Sequence, residues 1–179
     1  MKATGIVRRI DDLGRIVIPK EIRRTMRIRV GDPLEIYTTK EGEVIFKKYS
    51  LLGGLEDFAA QFCDTLSRSS DFTAAITDRD SIIAVAGAHK RALLGKTISE
   101  QLETLMEQRR IWRQESAGAP IPVCAGDGTY RAAVAAPILC AGDVLGLVLF
   151  LSDTDAVPGE AEEKLAQTVA AFLGKNMES

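Results

Sequence analysis

Apolar and polar positions alternate in short runs near the start of the chain. Ile6, Val7 and Ile10 stand among polar residues over 4–10, and Arg15-Ile16-Val17-Ile18 is β-branched. Both runs predict strands, joined by Asp11-Asp12-Leu13-Gly14, where Gly14 is free to take positive φ. Pro19 ends the second strand and suits the first position of a short helix over 19–26. That helix carries Ile22 and Met26 four residues apart and Glu21 in its first turn. After the turn Gly31-Asp32-Pro33, Leu34 and Ile36, then Val44 and Phe46, keep the two-residue period of a half-buried hairpin around residues 40–43.

Leu51-Leu52-Gly53-Gly54 breaks this pattern and supplies a short linker, which divides the chain into a head, 1–50, and a body, 55–179. Leu55, Phe58, Ala59, Phe62, Cys63 and Leu66 form one helical stripe over 55–68. Strands are predicted at 72–77 and 81–86, separated by Asp78-Arg79-Asp80. Thr97 and Glu100 have the spacing of a capping box before a helix with Ile98, Leu102, Leu105 and Met106. Glycines and prolines make 114–130 a long loop with a short strand near 121–124. Residues 130–139 and 144–151 are nearly continuous apolar strands, as in a sheet covered on both faces. A last helix starts near Pro158 and runs toward Met177, with Leu165, Val169, Phe172, Leu173 and Asn176 along one side. This order predicts an α+β sandwich: a central antiparallel sheet with the first and last helices on one face, and the loop and middle helix on the other.

Charge separates the two parts further. Residues 1–50 hold twelve Lys or Arg against seven Asp or Glu, while the remaining 129 hold eleven against eighteen, so a net of −2 conceals a head of +5 and a body of −7. A basic head beside an acidic body points to a polyanion, above all nucleic acid. No apolar run approaches the roughly 18 residues of a membrane span, and no secretory leader is evident. The three cysteines, Cys63, Cys124 and Cys140, are widely spaced, which fits a reducing cytoplasm and inert thiols better than a disulfide framework. With His89 as the one histidine, they lack the ligand spacing of a zinc site, so neither metal nor cofactor is expected. His89 lies beside Lys90 and Arg91, which suggests the surface. Trp112 reads as a packing residue.

The head has a size problem. A segment of this length, without disulfide or metal, buries too little surface to fold alone. Two copies interleaving their hairpins would double the core and make folding and association one event. Two-fold symmetry would then gather Arg8, Arg9, Arg15, Arg23 and Arg24, with Lys2, on one broad face. Arginine's planar fork suits phosphate oxygens and the major-groove edge of guanine.

The run GIVRRIDDLGRIVIPKEIRRTMRI, residues 5–28, continued by GDPLEIYTTKEGEVIFKKY, residues 31–49, resembles the DNA-binding unit of AbrB-type transition-state regulators. The resemblance implies a swapped-hairpin β-barrel dimer on double-stranded DNA, with Arg8, Arg15, Arg23 and Arg24 facing the duplex and Lys2 and Arg9 as weaker additions. It also implies reading of DNA shape more than of a strict base sequence. Heads of this type occur in MazE-like antitoxins too, but those continue into a disordered acidic tail. Here the continuation is apolar and strand-rich.

The body resembles a GAF domain. Residues 131–138, RAAVAAPI, and 142–148, GDVLGLV, look like that family's closing strands. The whole layout is similar to sporulation regulators of endospore formers that join the two parts. It implies a cytoplasmic, nucleoid-associated regulator of developmental genes. The body then either senses an unidentified small-molecule effector or serves only to oligomerise, its first and last helices pairing two dimers into a tetramer. No catalytic set is evident. Asp78 and Asp80 belong to a turn, Ser69-Ser70-Asp71 has no histidine nearby, and Gly126-Asp127-Gly128 has no following helix to make a phosphate loop. An enzyme is therefore not expected.

Overall fold

In the computed structural model, which describes residues 4–50, 52, 55–86, 89–154 and 156–177, Pro19 stands one position earlier than expected, as the extended N-cap of the first helix, α1 (Lys20–Thr25). The chain forms two units, Met1–Tyr49 and Ser50–Ser179. In the first, the turn at 11–15 forms as its residues require. The Asp11 carboxylate accepts the amides of Leu13 (3.0 Å) and Arg15 (2.8 Å), and Gly14 sits at φ +75°. The expected strands at 4–10 and 15–18 differ from the structure: among the described residues, none of this stretch pairs as regular strand. A strand needs a ladder, and here the backbone bonds stop at the turn itself, Asp11 to Arg15 and Gly14 to Asp11.

α1 closes with a Schellman pattern. The Ile28 amide donates to the Arg23 carbonyl (2.7 Å), and Arg27 takes the left-handed position, φ +51°, that glycine usually fills. β1 (Leu34–Thr38) and β2 (Val44–Lys48) pair antiparallel, with Leu34 opposite Lys48, Ile36 opposite Phe46 and Thr38 opposite Val44. Cross-strand partners share a face, so the alternation seen in the sequence places Ile36, Val44 and Phe46 together. That face is open: Ile36 is 61% and Val44 57% exposed. No described residue of this unit is fully buried.

The second unit is built on an antiparallel sheet in the order β4-β3-β8-β7-β5, with β6 also on β7. The strands are β3 (Thr73–Thr77), β4 (Ile82–Val85), β5 (Trp112–Arg113), β6 (Pro122–Cys124), β7 (Asp127–Cys140) and β8 (Asp143–Ser152). α2 (Glu56–Arg68) and α5 (Glu160–Asn176) cover one face. Their Ala59, Cys63, Leu66, Val169 and Leu173 share a core with Ile76, Ile138, Val148 and Phe150. The other face packs Leu102, Leu105 and Met106 of α4 (Glu100–Glu107), with Val123 of β6, against Ala75, Leu147, Leu149 and Leu151. β8 therefore sends alternate side chains into two separate cores, which is why its sequence is apolar from Val144 to Leu151. Two glycines permit close layers. A Cβ at Gly146 would lie 1.9 Å from the Thr77 carbonyl oxygen, and one at Gly174 2.0 Å from that of Leu139.

Several elements depart from the sequence reading. The cap of α4 is Ser99, not Thr97. Ser99 Oγ accepts the Leu102 amide (3.1 Å) and donates to the Pro122 carbonyl (2.6 Å), whereas Thr97 bridges Ser81. The expected long loop is preceded by β5, which was not expected, carries the expected short strand as β6, and ends earlier, because β7 already begins at Asp127. The short helix α3 (Lys90–Leu93) buries Leu93 and was not anticipated. His89 is half-buried, its Nδ1 2.9 Å from the Tyr130 hydroxyl. Trp112 packs partly buried against the α4 core.

Candidate nucleic-acid interface

The basic side chains of the head are carried by two local structures. Arg8 and Arg9 lead into the 11–15 turn and Arg15 leaves it, all three exposed. Arg15 is aimed by the turn itself, its Nε donating to the second carboxylate oxygen of Asp11 at 2.7 Å. Asp11 thus uses one oxygen to close the turn and the other to orient a guanidinium. The bonds from the Arg15 amide and guanidinium, and from the Leu13 amide, hold its carboxyl below the usual carboxylate range. The pair is solvent-exposed, with 70% of the Arg15 side chain accessible, so it is a positioning device more than a source of stability. From the sequence alone Asp11 reads as a turn residue only. The i, i+4 spacing of Asp11 and Arg15 around Gly14 was the available signal.

Arg23 and Arg24 are neighbours in the last turn of α1, Arg23 half-buried and Arg24 exposed. Among the described residues the side chains of Arg8, Arg9, Arg23 and Arg24 have no ion-pair partner, which leaves their donors available. Lys2 lies outside the described residues. The same unit exposes apolar side chains in quantity: Val7 is 88%, Leu13 74% and Val17 73% accessible, and Ile10, Met26 and Val30 are also exposed. So much exposed apolar surface on one small unit marks a place where something packs.

The body carries a second apolar feature. Phe58, Phe62 and Phe172 cluster where α2 meets α5, with ring centroids 5.0–6.1 Å apart, and Phe58 and Phe172 remain substantially exposed. Two of its thiols are quiet, since burial pushes Cys63 up to about 12 and raises Cys124 as well. Among the described residues no group of three or more His, Cys, Asp or Glu is placed to hold a metal, and no helix is long and apolar enough to cross a membrane.

Comparison with known proteins separates along the same line. Residues 54–178 match the family described as stage V sporulation protein T C-terminal, transcription factor. Residues 7–50 match that described as antidote-toxin recognition MazE, bacterial antitoxin. Stage V sporulation protein T of Bacillus subtilis (strain 168) is 49% identical over 178 residues, covering 99% of each chain. The transition state regulatory protein AbrB of the same organism is 59% identical over 49 residues, 27% of this chain and 50% of that one. Among solved structures, a type II free methionine-R-sulfoxide reductase from Thermoplasma acidophilum superposes with a TM-score of 0.52 at 13% identity, covering 69% of this chain and 94% of that one, a likeness of fold alone. With an AbrB-like head, an α+β body and near-complete coverage at this identity, the chain belongs to the stage V sporulation protein T family of DNA-binding transcription factors.

Proposed function

We propose that two copies of this chain pair through their heads and grip duplex DNA with Arg8, Arg15, Arg23 and Arg24, Arg9 and Lys2 adding contacts at the edge, to regulate developmental genes of the sporulation programme. One observation carries the pairing: a head with no fully buried residue displays Val7, Ile10, Leu13, Val17, Ile36 and Phe46 to solvent. Burying each such side chain stabilises by roughly 1.5–3 kcal/mol, and strands at 4–10 and 15–18 acquire a ladder only if a second copy supplies it. The pairing doubles the arginine set on one assembly, where phosphate contacts position the protein and groove contacts and DNA shape discriminate sequence.

The body joins two such dimers through the Phe58, Phe62 and Phe172 surface of α2 and α5, which supplies the second interface of a tetramer. An effector bound by the body would act by favouring one arrangement of the assembly, and so one spacing of the DNA heads. As a member of a transcription-factor family the protein acts without a catalytic reaction of its own, in the cytoplasm with the nucleoid.

The test is fluorescence anisotropy of the full chain on duplex DNA. Arg15→Ala and Arg23→Ala are each expected to weaken binding by about 1–3 kcal/mol, with the oligomeric state unchanged by light scattering. Unchanged affinity would remove these residues from the interface, and loss of folding would make them structural.

A further inference from the structure

β5 pairs with β7 at only two positions, Trp112 with Ala135 and Arg113 with Val134, so among the described residues the outer edge of β7 has no strand beside it from Ala136 to its end. α5 runs along this edge and touches β7 closely at Gly174. Between the two, and closed at one end by residues 109–111, lies an open groove of about 600 Å³, well inside the range of small-molecule sites. Ile111, Pro137, Leu139 and Ala171 give it an apolar lining. It lies on the flank of α5 away from Phe172, the residue that meets α2.

Three cations stand around this apolar lining: Arg109, Arg110 and Lys175. No acidic side chain lines it, although residues 51–179 hold eighteen Asp or Glu against eleven Lys or Arg. Among the described residues the side chains of Arg109 and Lys175 have no hydrogen-bond or ion-pair partner, and Arg110 uses one donor, Nε, on the Gln108 side-chain oxygen at 3.1 Å. Arg109 also holds a left-handed backbone, φ +54°, where its amide closes α4 on the Met106 carbonyl and the chain turns toward β5. A non-glycine residue there costs on the order of 1 kcal/mol. An apolar trough rimmed by unneutralised cations is complementary to one class of molecule, an organic anion with an apolar body and a carboxylate or phosphate head.

We infer that the groove between α5 and the free edge of β7 is a binding site for a small amphipathic anion. The apolar body lies on Ile111, Pro137, Leu139 and Ala171, and the anionic head meets Arg109, Arg110 and Lys175. The groove shares no residue with the DNA contacts, and its failure would leave the arginine substitutions in the head, and what they report, untouched.

Isothermal titration calorimetry of the full chain, with decanoate as probe and decan-1-ol and acetate as partial mimics, tests this directly. Decanoate is expected to bind, with acetate and decan-1-ol each at least tenfold weaker. The Arg109→Gln/Lys175→Gln variant should lose affinity for decanoate by about tenfold, near threefold per exposed cation, and leave decan-1-ol unchanged. Ala171→Phe, which fills the trough from an exposed helix position, should abolish decanoate binding with the melting temperature preserved. If that substitution disturbs folding, methyl NMR shifts of Ile111 and Leu139 on adding decanoate to the unsubstituted chain give the location instead. Decanoate binding that is absent, equalled by decan-1-ol, or indifferent to the charge and filling variants, or shifts confined to methyls elsewhere, would overturn the assignment.

Discussion

Replacing Gly174 with alanine sets two effects of opposite sign against each other. In an exposed helix interior, alanine is better than glycine by about 1 kcal/mol. At this position the new Cβ would lie 2.0 Å from the Leu139 carbonyl oxygen, against the 3.4 Å where ordinary contact begins, and the obstacle is backbone. α5 would have to retreat from β7 by over an ångström. A gap of that size forfeits a quarter to a half or more of the contact energy of the side chains beneath it, here Val169, Ala170 and Leu173. Partial loss of burial at Val169 and Leu173 costs about 1–3 kcal/mol, and the strain of overpacking about 1–3 kcal/mol more. The clash wins, with a net destabilisation of about 1–5 kcal/mol after the helix propensity is credited. Calorimetric melting of the full chain should show the body transition falling by roughly 10 °C. An unchanged or raised melting temperature would refute the close seating of α5 on the sheet, and the groove beside it would need redrawing.

Phe46→Asp should abolish head folding and dimer formation together, because it places a charge in the shared core; a folded monomeric head by sedimentation would contradict this. Phe58→Glu should leave head-mediated dimers intact and dissociate the larger assembly, measured by light scattering, and a persistent tetramer would show that the aromatic cluster of α2 and α5 is not the second interface. Thiol labelling of the native protein at neutral pH should modify the partly exposed Cys140 and spare Cys63, whose thiol is buried and held near 12, until denaturant is added. Rapid native labelling of Cys63 would show that α2 does not stay packed on its sheet.

Much of the body was legible because its elements carry their own signals. β8 reads as apolar from Val144 to Leu151, and the structure sends Leu147, Leu149 and Leu151 to one core and Val148 and Phe150 to the other. The stripe Ala59, Cys63 and Leu66 marks the buried side of α2. What failed had competing or absent signals. Thr97 and Ser99 both precede a helix former at cap spacing, and only the bridge to Ser81 withdraws Thr97 from the role. β5, two residues long, has no period to read. The strands at 4–10 and 15–18 are a different case. Their pattern is that of strands, but a ladder is a property of two paired segments, and the backbone bonds here stop at the 11–15 turn; under the proposed pairing a second copy supplies the partner. The head arginines were singled out by charge and by the family motif, not by periodicity. The Asp11–Arg15 contact and the groove at Arg109, Arg110 and Lys175 depend on backbone turns that bring distant or oppositely facing residues together.

The most direct test is a salt titration of full-chain binding to duplex DNA. If paired heads neutralise about six to ten phosphates, log affinity should fall linearly with log salt, losing about 10³–10⁵ between 50 and 200 mM, with stoichiometry of two or more chains per duplex site. A flat salt response, or binding by a single folded chain, would contradict a grip made by arginines that two intertwined heads display together.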